Sequence, residues 1–105
     1  MTRYIVVKLQ FEGIHQWHGA EGDVEFLKHP HRHIFHVKAI KEVSHNDRDI
    51  EFITLKREIQ TCISQNYDDL RSWSCEDIAE DLINRFDLDS CSVLEDGENG
   101  AILIK

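Results

Sequence analysis

Histidines are the residues of this sequence best suited to site chemistry, and they are concentrated in one stretch. Four of the seven histidines fall between positions 29 and 36, where the sequence reads H-P-H-R-H-I-F-H. If residues 32–43 form a β-strand, alternate side chains share a face, so His31 and His33 point the same way. Two imidazoles about 6.5–7 Å apart along one strand face can converge on a single metal ion.

A third ligand nitrogen has to come from a neighbouring strand, whose backbone lies about 4.8 Å away. The expected donor is His15, near the end of the first strand-like segment. Three histidines around a metal with one open position are typical of catalytic rather than structural zinc. The alternative is a histidine-rich surface strand that binds no metal, because an H-x-H pattern is common by chance. We expect the other histidines to lie outside this site: His18, His29, His36 and His45.

Two strands have to carry these histidines. Residues 4–11 are rich in Ile, Val and Tyr and alternate loosely, which predicts a first strand. Residues 32–43 predict a second strand that pairs antiparallel with the first. Gly13, just before His15, indicates either a bulge or a close approach of the backbone.

Two helices and a hairpin follow these strands. Apolar residues recur at helical spacing and predict a helix over residues 54–66. The stripe on that helix consists of Phe52, Leu55, Ile59 and Cys62 or Ile63. Ser74 is the predicted N-cap of a second helix over residues 75–86. Residues 90–94 and 101–104 form the two strands of a hairpin around the turn sequence D-G-E-N-G.

The element order ββααββ in 105 residues predicts a single α+β domain spanning residues 1–105. Two helices then cover one face of a four-stranded antiparallel sheet. The other face and both sheet edges stay uncovered, so we expect self-association into a homo-oligomer.

Composition and charge exclude several classes of partner. Hydrophobic residues make up 41% and charged residues 30%, as in globular proteins. The formal net charge of −8 argues against nucleic acid as a partner, because such binding depends on Lys and Arg neutralising phosphates. No apolar run approaches the roughly 20 residues that cross a bilayer, and no signal-peptide pattern opens the sequence, so we expect a cytoplasmic protein without a membrane partner. The three cysteines form no CxxC pair and are expected to be small buried residues: Cys62, Cys75 and Cys91.

Glu95 closes the third predicted strand just before the turn. A carboxylate there can accept two parallel N–H bonds from an amidine-like edge, such as that of a pterin or guanine. The alternative is an exposed turn residue with no ligand.

Five segments, in order and at suitable spacing, carry a resemblance to a known family. They are residues 11–15, 31–35, 50–56, 73–79 and 93–95, and they parallel the patterns F-x-x-x-H, H-G-H-N-Y, h-D-F-x-x-L-K, P-T-x-E-N-h-A and V-x-V-x-E. On these motifs the chain resembles the 6-pyruvoyltetrahydropterin synthase and 6-carboxytetrahydropterin synthase family.

The resemblance implies a fold, a metal and a reaction. The fold is the tunnelling fold, in which ββααββ subunits join their sheets into an oligomeric barrel, commonly trimers stacked into hexamers with active sites between subunits. Zinc is held by the histidines matching His15, His31 and His33, and a pterin-like substrate is anchored by the residue matching Glu95. Residues matching Ser74 and Glu76 lie near that pocket. Founding members are lyases that eliminate triphosphate from dihydroneopterin triphosphate, and others make the precursor of 7-deazaguanine nucleosides.

The chain departs from the family at its proton-transfer positions. Leu27 stands where the family has a catalytic cysteine, and no histidine follows His45 to match the family's catalytic histidine. Arg32 replaces the glycine between the two strand ligands. Glu25, close to Leu27, is the candidate substitute base for a lyase-type reaction. The alternatives are a metal-containing protein that binds a pterin- or purine-like molecule without turnover, and a structural oligomer with a vestigial site.

Overall fold

The first two strands form a long antiparallel pair that runs without interruption to the histidines. In the computed structural model, which describes residues 1–105, β1 is Arg3–His15 and β2 is His31–Val43. Their register runs from Arg3 opposite Val43 to His15 opposite His31. The first strand is therefore longer than the predicted 4–11, because the pairing with β2 continues through Gly13.

A hairpin completes the sheet. Strands β3, Ser90–Glu95, and β4, Asn99–Ile104, add to the far side of β2 in the order β1-β2-β3-β4, and every pair is antiparallel. The turn between them is the predicted one, and Asp96 and Gly97 both have positive φ there, at 56° and 73°. The structure is thus an α+β fold with a four-stranded antiparallel sheet, as predicted.

Two α-helices and one 3₁₀ helix connect the strands. Helix α1 is Phe52–Asn66 and helix α2 is Cys75–Phe86, within two residues of the predicted bounds. Ser74 is the N-cap of α2, as predicted, and forms a capping box with Asp77. The 3₁₀ helix, Gly22–Lys28, lies between β1 and β2, where no helix was predicted from the sequence. No helix is long and apolar enough to span a bilayer.

The core lies between one face of the sheet and the two α-helices. Odd-numbered residues of the strands supply the sheet side, among them Val7, Leu9, Phe35, Val37 and Val93, and the helices supply Leu55, Ile59, Ile63, Ile78 and Leu82. This is the face that also carries the three histidines. Phe52, predicted to belong to the stripe of α1, is 52% exposed, because it is the first residue of α1 and precedes the first buried residue of the helix, Leu55.

Gly13 lies where the backbone of β1 passes close to the core. A Cβ atom at this position would be 2.8 Å from Leu70 Cδ1 and 2.9 Å from Phe35 Cε2, which is closer than real contacts allow. The close approach predicted for Gly13 is therefore confirmed. The alternative of a bulge is wrong, because Gly13 pairs with His33 in an unbroken register.

The sheet face opposite the helices carries apolar side chains without cover from this chain. Val6, Ile102 and Ile104 are 48%, 61% and 76% exposed there. Their neighbours on the same face include Lys8, Lys38 and Gln10, so the apolar residues form a band rather than a second core.

Candidate metal centre

The structure brings His15, His31 and His33 together at the end of the β1–β2 pair. The centroids of the His15 and His31 rings are 4.5 Å apart, and the His33 centroid is 5.4 Å from that of His15 and 5.0 Å from that of His31. One nitrogen from each ring lies within 4.8 Å of the others. The predicted cluster is therefore present, and its members come from the two strands that were expected to supply them.

Each ring is held at its Nδ1 atom by a fixed oxygen. His15 Nδ1 lies 2.7 Å from the Trp73 carbonyl oxygen, and His31 Nδ1 lies 2.8 Å from the His29 carbonyl oxygen. A carbonyl oxygen can only accept, so in both rings Nδ1 carries the hydrogen and donates it. In a neutral imidazole with hydrogen on Nδ1, the lone pair is on Nε2. Nε2 is the atom that each ring offers as a ligand.

His33 is held in the same way by a carboxylate. Its Nδ1 lies 2.7 Å from Asp96 Oδ2, and the Ile34 backbone N–H donates to Asp96 Oδ1 at 3.0 Å. The hydrogen bond from Ile34 has the larger effect and that from His33 the next, and both lower the pKa of Asp96 below its ordinary value. This carboxylate is therefore an acceptor. A carboxylate behind a histidine is a common outer-shell arrangement in metal sites, where it fixes the ring and its tautomer.

Two of the Nε2 atoms are buried and lack a hydrogen bond. His15 Nε2 and His33 Nε2 are the only buried side-chain nitrogen or oxygen atoms of the chain without such a partner. Buried polar atoms are almost always satisfied, because leaving one unpaired costs about 1–3 kcal/mol. A cation between the rings would satisfy both atoms at once.

The core beneath the rings fixes their position. Phe35, which is fully buried, makes edge contacts with His15 and His33 at centroid distances of 5.3 and 5.9 Å. Gly13 leaves room for the Phe35 ring. Arg32 does not crowd the site, because its side chain lies on the other sheet face, with Nε 3.4 Å from Glu12 Oε1.

Glu95 stands directly against the histidines. Its Oε1 is 3.5 Å from His15 Nε2, and its Oε2 is 3.1 Å from His33 Nε2. It was predicted as a substrate anchor, and the structure places it at the cluster because β3 pairs with β2 so that Glu95 lies opposite Phe35. Its register therefore puts it on the face that carries the rings.

Cys75 is a member of this neighbourhood that sequence reasoning missed. Its Sγ lies 3.8 Å from Glu95 Oε1, at the first residue of α2. Burial first, and then the Glu95 carboxylate, raise the pKa of this thiol to about 12. Cys75 and Cys91 are buried, as expected, whereas Cys62 is only partly buried and that expectation is wrong. The Cys75 thiol also donates to a carboxylate of the site. Asp96 was likewise missed, and its only signal was its place next to Glu95 in the turn.

The other predicted site residues make no hydrogen bond or ion pair with the histidines. Ser74 is occupied with capping α2, and Glu76 is exposed in the first turn of that helix. Glu25 is exposed on the 3₁₀ helix, with its carboxylate 3.6 Å from Lys28 Nζ. The backbone carbonyl of Leu27 accepts a hydrogen bond from the Trp17 N–H at 2.7 Å. The catalytic role of Glu25 stays a prediction.

A groove opens beside His15. Its volume is about 560 Å³, within the usual range for small-molecule sites. Two carboxylates line it, Asp68 and Asp69, from the segment between α1 and α2. His18 and Arg71 also line it.

The donor set fits zinc. Zinc in proteins takes neutral histidine nitrogens at about 2.0–2.1 Å, and four tetrahedral ligands are then about 3.3 Å from one another. Each ring offers one nitrogen within 4.8 Å of those of the other two, and Nε2 is the nitrogen that no oxygen holds. Small side-chain rotations would bring them to ligand spacing.

Comparison with known proteins provides no family assignment. No protein-family model matches the chain, and no curated protein matches it. The geometry of the site therefore carries the functional argument.

Replacing Asp96 is expected to weaken metal binding through His33. In Asp96→Asn only one oxygen remains, and when it accepts from the Ile34 N–H, the NH₂ group faces the Nδ1–H of His33, so the ring loses the partner that fixes its tautomer. Loss of such a partner lowers metal affinity by about 10- to 100-fold. The measurement is competition for zinc with a chromogenic chelator. The matched control is Glu98→Gln, an exposed carboxylate of the same turn, and equal affinities in all three proteins would contradict the role of Asp96.

Proposed function

We propose that this chain is a zinc-dependent protein of the pterin synthase type that acts on a pterin- or purine-like small molecule. One observation supports the metal above all others. Three imidazoles, each with Nδ1 held by a fixed oxygen, turn Nε2 toward a common point, and two of those nitrogens are buried without a hydrogen bond. Such an arrangement has a cost in a protein that binds no cation.

His15, His31 and His33 would hold the zinc. Bound zinc supplies a Lewis acid that polarises an oxygen of the ligand. The chain's own residues supply the rest. Asp96 orients His33, the Trp73 carbonyl orients His15, and the groove beside His15 offers space for a ring system.

The nature of the ligand is proposed from its recognition chemistry. A pterin or guanine presents two parallel N–H groups that a carboxylate accepts, and Glu95 is the carboxylate nearest the rings. Ser74 and Glu76, at the start of α2, are proposed from the resemblance to lie near this ligand, although neither lines the groove beside His15.

A lyase-type reaction is the activity that the resemblance implies, with a carboxylate as the base. Glu25 is the base proposed from sequence, and Asp68 and Asp69 are carboxylates that line the groove. The second candidate function is binding of the same ligand class without turnover. It is favoured by the absence of a reactive thiol, since Leu27 replaces the expected cysteine and the pKa of Cys75 is raised to about 12.

Assembly into a ring is part of the proposal. The tunnelling fold joins sheets of neighbouring subunits, and here both outer strands, β1 and β4, have one free edge. The apolar band with Val6, Ile102 and Ile104 would be covered inside such a barrel. We propose a trimer or a hexamer.

Metal content tests the core of the proposal. Protein purified without a histidine tag is expected to contain about one zinc per chain, because one set of three ligands is present. His31→Ala combined with His33→Ala should remove it, since one imidazole cannot hold the ion alone. Elemental analysis after gel filtration gives the ratio. Stoichiometric zinc in the double variant would contradict the site, and His36→Ala with His45→Ala is the matched control.

Incubation with dihydroneopterin triphosphate tests enzyme against binder. Turnover is expected to release inorganic triphosphate and change the pterin absorbance, and the His31→Ala, His33→Ala variant should do neither. Binding without turnover is expected to raise the melting temperature of the zinc-loaded protein and leave the pterin intact. If pterins and 7-deazaguanines cause neither change, the proposed ligand class is wrong.

Introducing charged residues into the apolar band tests the proposed oligomer. Light scattering after gel filtration is expected to give three or six times the mass of one chain. Ile102→Lys with Ile104→Lys should reduce this to the single chain. In the barrel each lysine would lose its contact with water and gain no partner for its charge. Thr54→Lys with Thr61→Lys, two exposed positions on α1, is the matched control. A monomeric wild type would contradict the proposed barrel.

A further inference from the structure

We infer that Glu95 is a fourth ligand of the metal when no small molecule is bound. This inference rests on the proposed function, which supplies the metal. The new element is a direct bond between Glu95 and that metal. The site then has four protein ligands, three imidazoles and one carboxylate, instead of three ligands and an open position.

The first argument is the spacing. The carboxylate oxygens of Glu95 are 3.1 Å from His33 Nε2 and 3.5 Å from His15 Nε2. Ligand atoms of a tetrahedral zinc ion with bonds of about 2.0–2.1 Å are about 3.3 Å from one another. Glu95 therefore stands at the distance from two of the histidines that a shared ion imposes.

The second argument is that these contacts are not hydrogen bonds. Neither His15 Nε2 nor His33 Nε2 has a hydrogen-bond partner, although carboxylate oxygens lie 3.1–3.5 Å away. Nδ1 already carries the hydrogen of each neutral ring, so Nε2 presents a lone pair to a carboxylate oxygen. Two electron-rich atoms at this distance repel each other unless a cation lies between them. The geometry of both contacts falls outside that of an N–H···O hydrogen bond.

The third argument is that the carboxylate is held in place from behind. Glu95 is the last residue of β3, and its backbone lies opposite Phe35, whose ring contacts both histidines. The Cys75 thiol donates to Glu95 Oε1 at a sulfur–oxygen distance of 3.8 Å. The carboxylate is about one-third exposed, so it has room to turn away when a ligand enters.

Four protein ligands have a consequence for the activity. A closed zinc shell is typical of structural sites, whereas catalytic sites keep one position open. In this chain a ligand reaches the metal only after Glu95 releases it. Glu95 is also the proposed acceptor for the N–H groups of a pterin, so the metal and the ligand would compete for one carboxylate.

The test uses the full-length protein without a histidine tag, first loaded with zinc and then with cobalt. Glu95→Gln keeps the shape of the side chain and removes its charge, and we expect its zinc affinity to fall by about tenfold or more. In the cobalt protein, we expect azide to leave the visible spectrum of the wild type unchanged and to shift that of Glu95→Gln. Azide shifts the variant because the site then has an open position.

Controls separate this inference from the proposed function. Glu98→Gln, in the same turn, should behave as the wild type in both measurements. If Glu95→Gln binds zinc as tightly as the wild type, and azide shifts both cobalt spectra alike, Glu95 is not a ligand, and the three-histidine site stands. If the wild type binds no zinc, the proposed function itself fails. If the glutamine variant is unstable, Glu95→Ala replaces it in both measurements. Circular dichroism in the presence of a chelator checks that this variant is folded.

Discussion

The site depends on one constraint, which is that each of three imidazoles donates its Nδ1 hydrogen to an oxygen atom of the chain. Two of those oxygens are backbone carbonyls, of His29 and Trp73, and the third belongs to Asp96. His29 follows the 3₁₀ helix and Trp73 precedes α2, so two connections as well as two strands take part. The Nε2 atoms converge because their opposite sides are already engaged.

Charge around His33 is arranged in a way that suits a cation. Asp96 accepts a hydrogen bond from Nδ1 of this ring, and Glu95 faces Nε2. A ring between two carboxylates, in a chain of net charge −8, is attracted to a positive ion rather than to a negative partner. The same charge argues against nucleic acid as the ligand, whereas the N–H edge of a neutral pterin or purine is compatible with it.

The chain combines a cluster of three histidines with surroundings that lack a reactive thiol. Leu27 and Cys75 illustrate the change, since the position expected to hold a cysteine is aliphatic and the thiol nearest the cluster has a raised pKa. A buried thiol of this kind holds a carboxylate in place and does not act as a nucleophile. Binding and orientation are therefore better supported by the structure of this site than thiol chemistry is, and a carboxylate is the natural base for any reaction.

Local patterns in the sequence were enough to identify much of the fold and three of the site residues. Strand parity placed His31 and His33 on one face, and Ser74 was recognised as an N-cap, because both features depend on neighbouring residues alone. The tertiary structure decided the rest. Whether His15 met His31, how near Glu95 came to the rings, and that Cys75 joined them depended on strand register and on the position of α2. Register is set by contacts between residues far apart in sequence, which no local pattern contains.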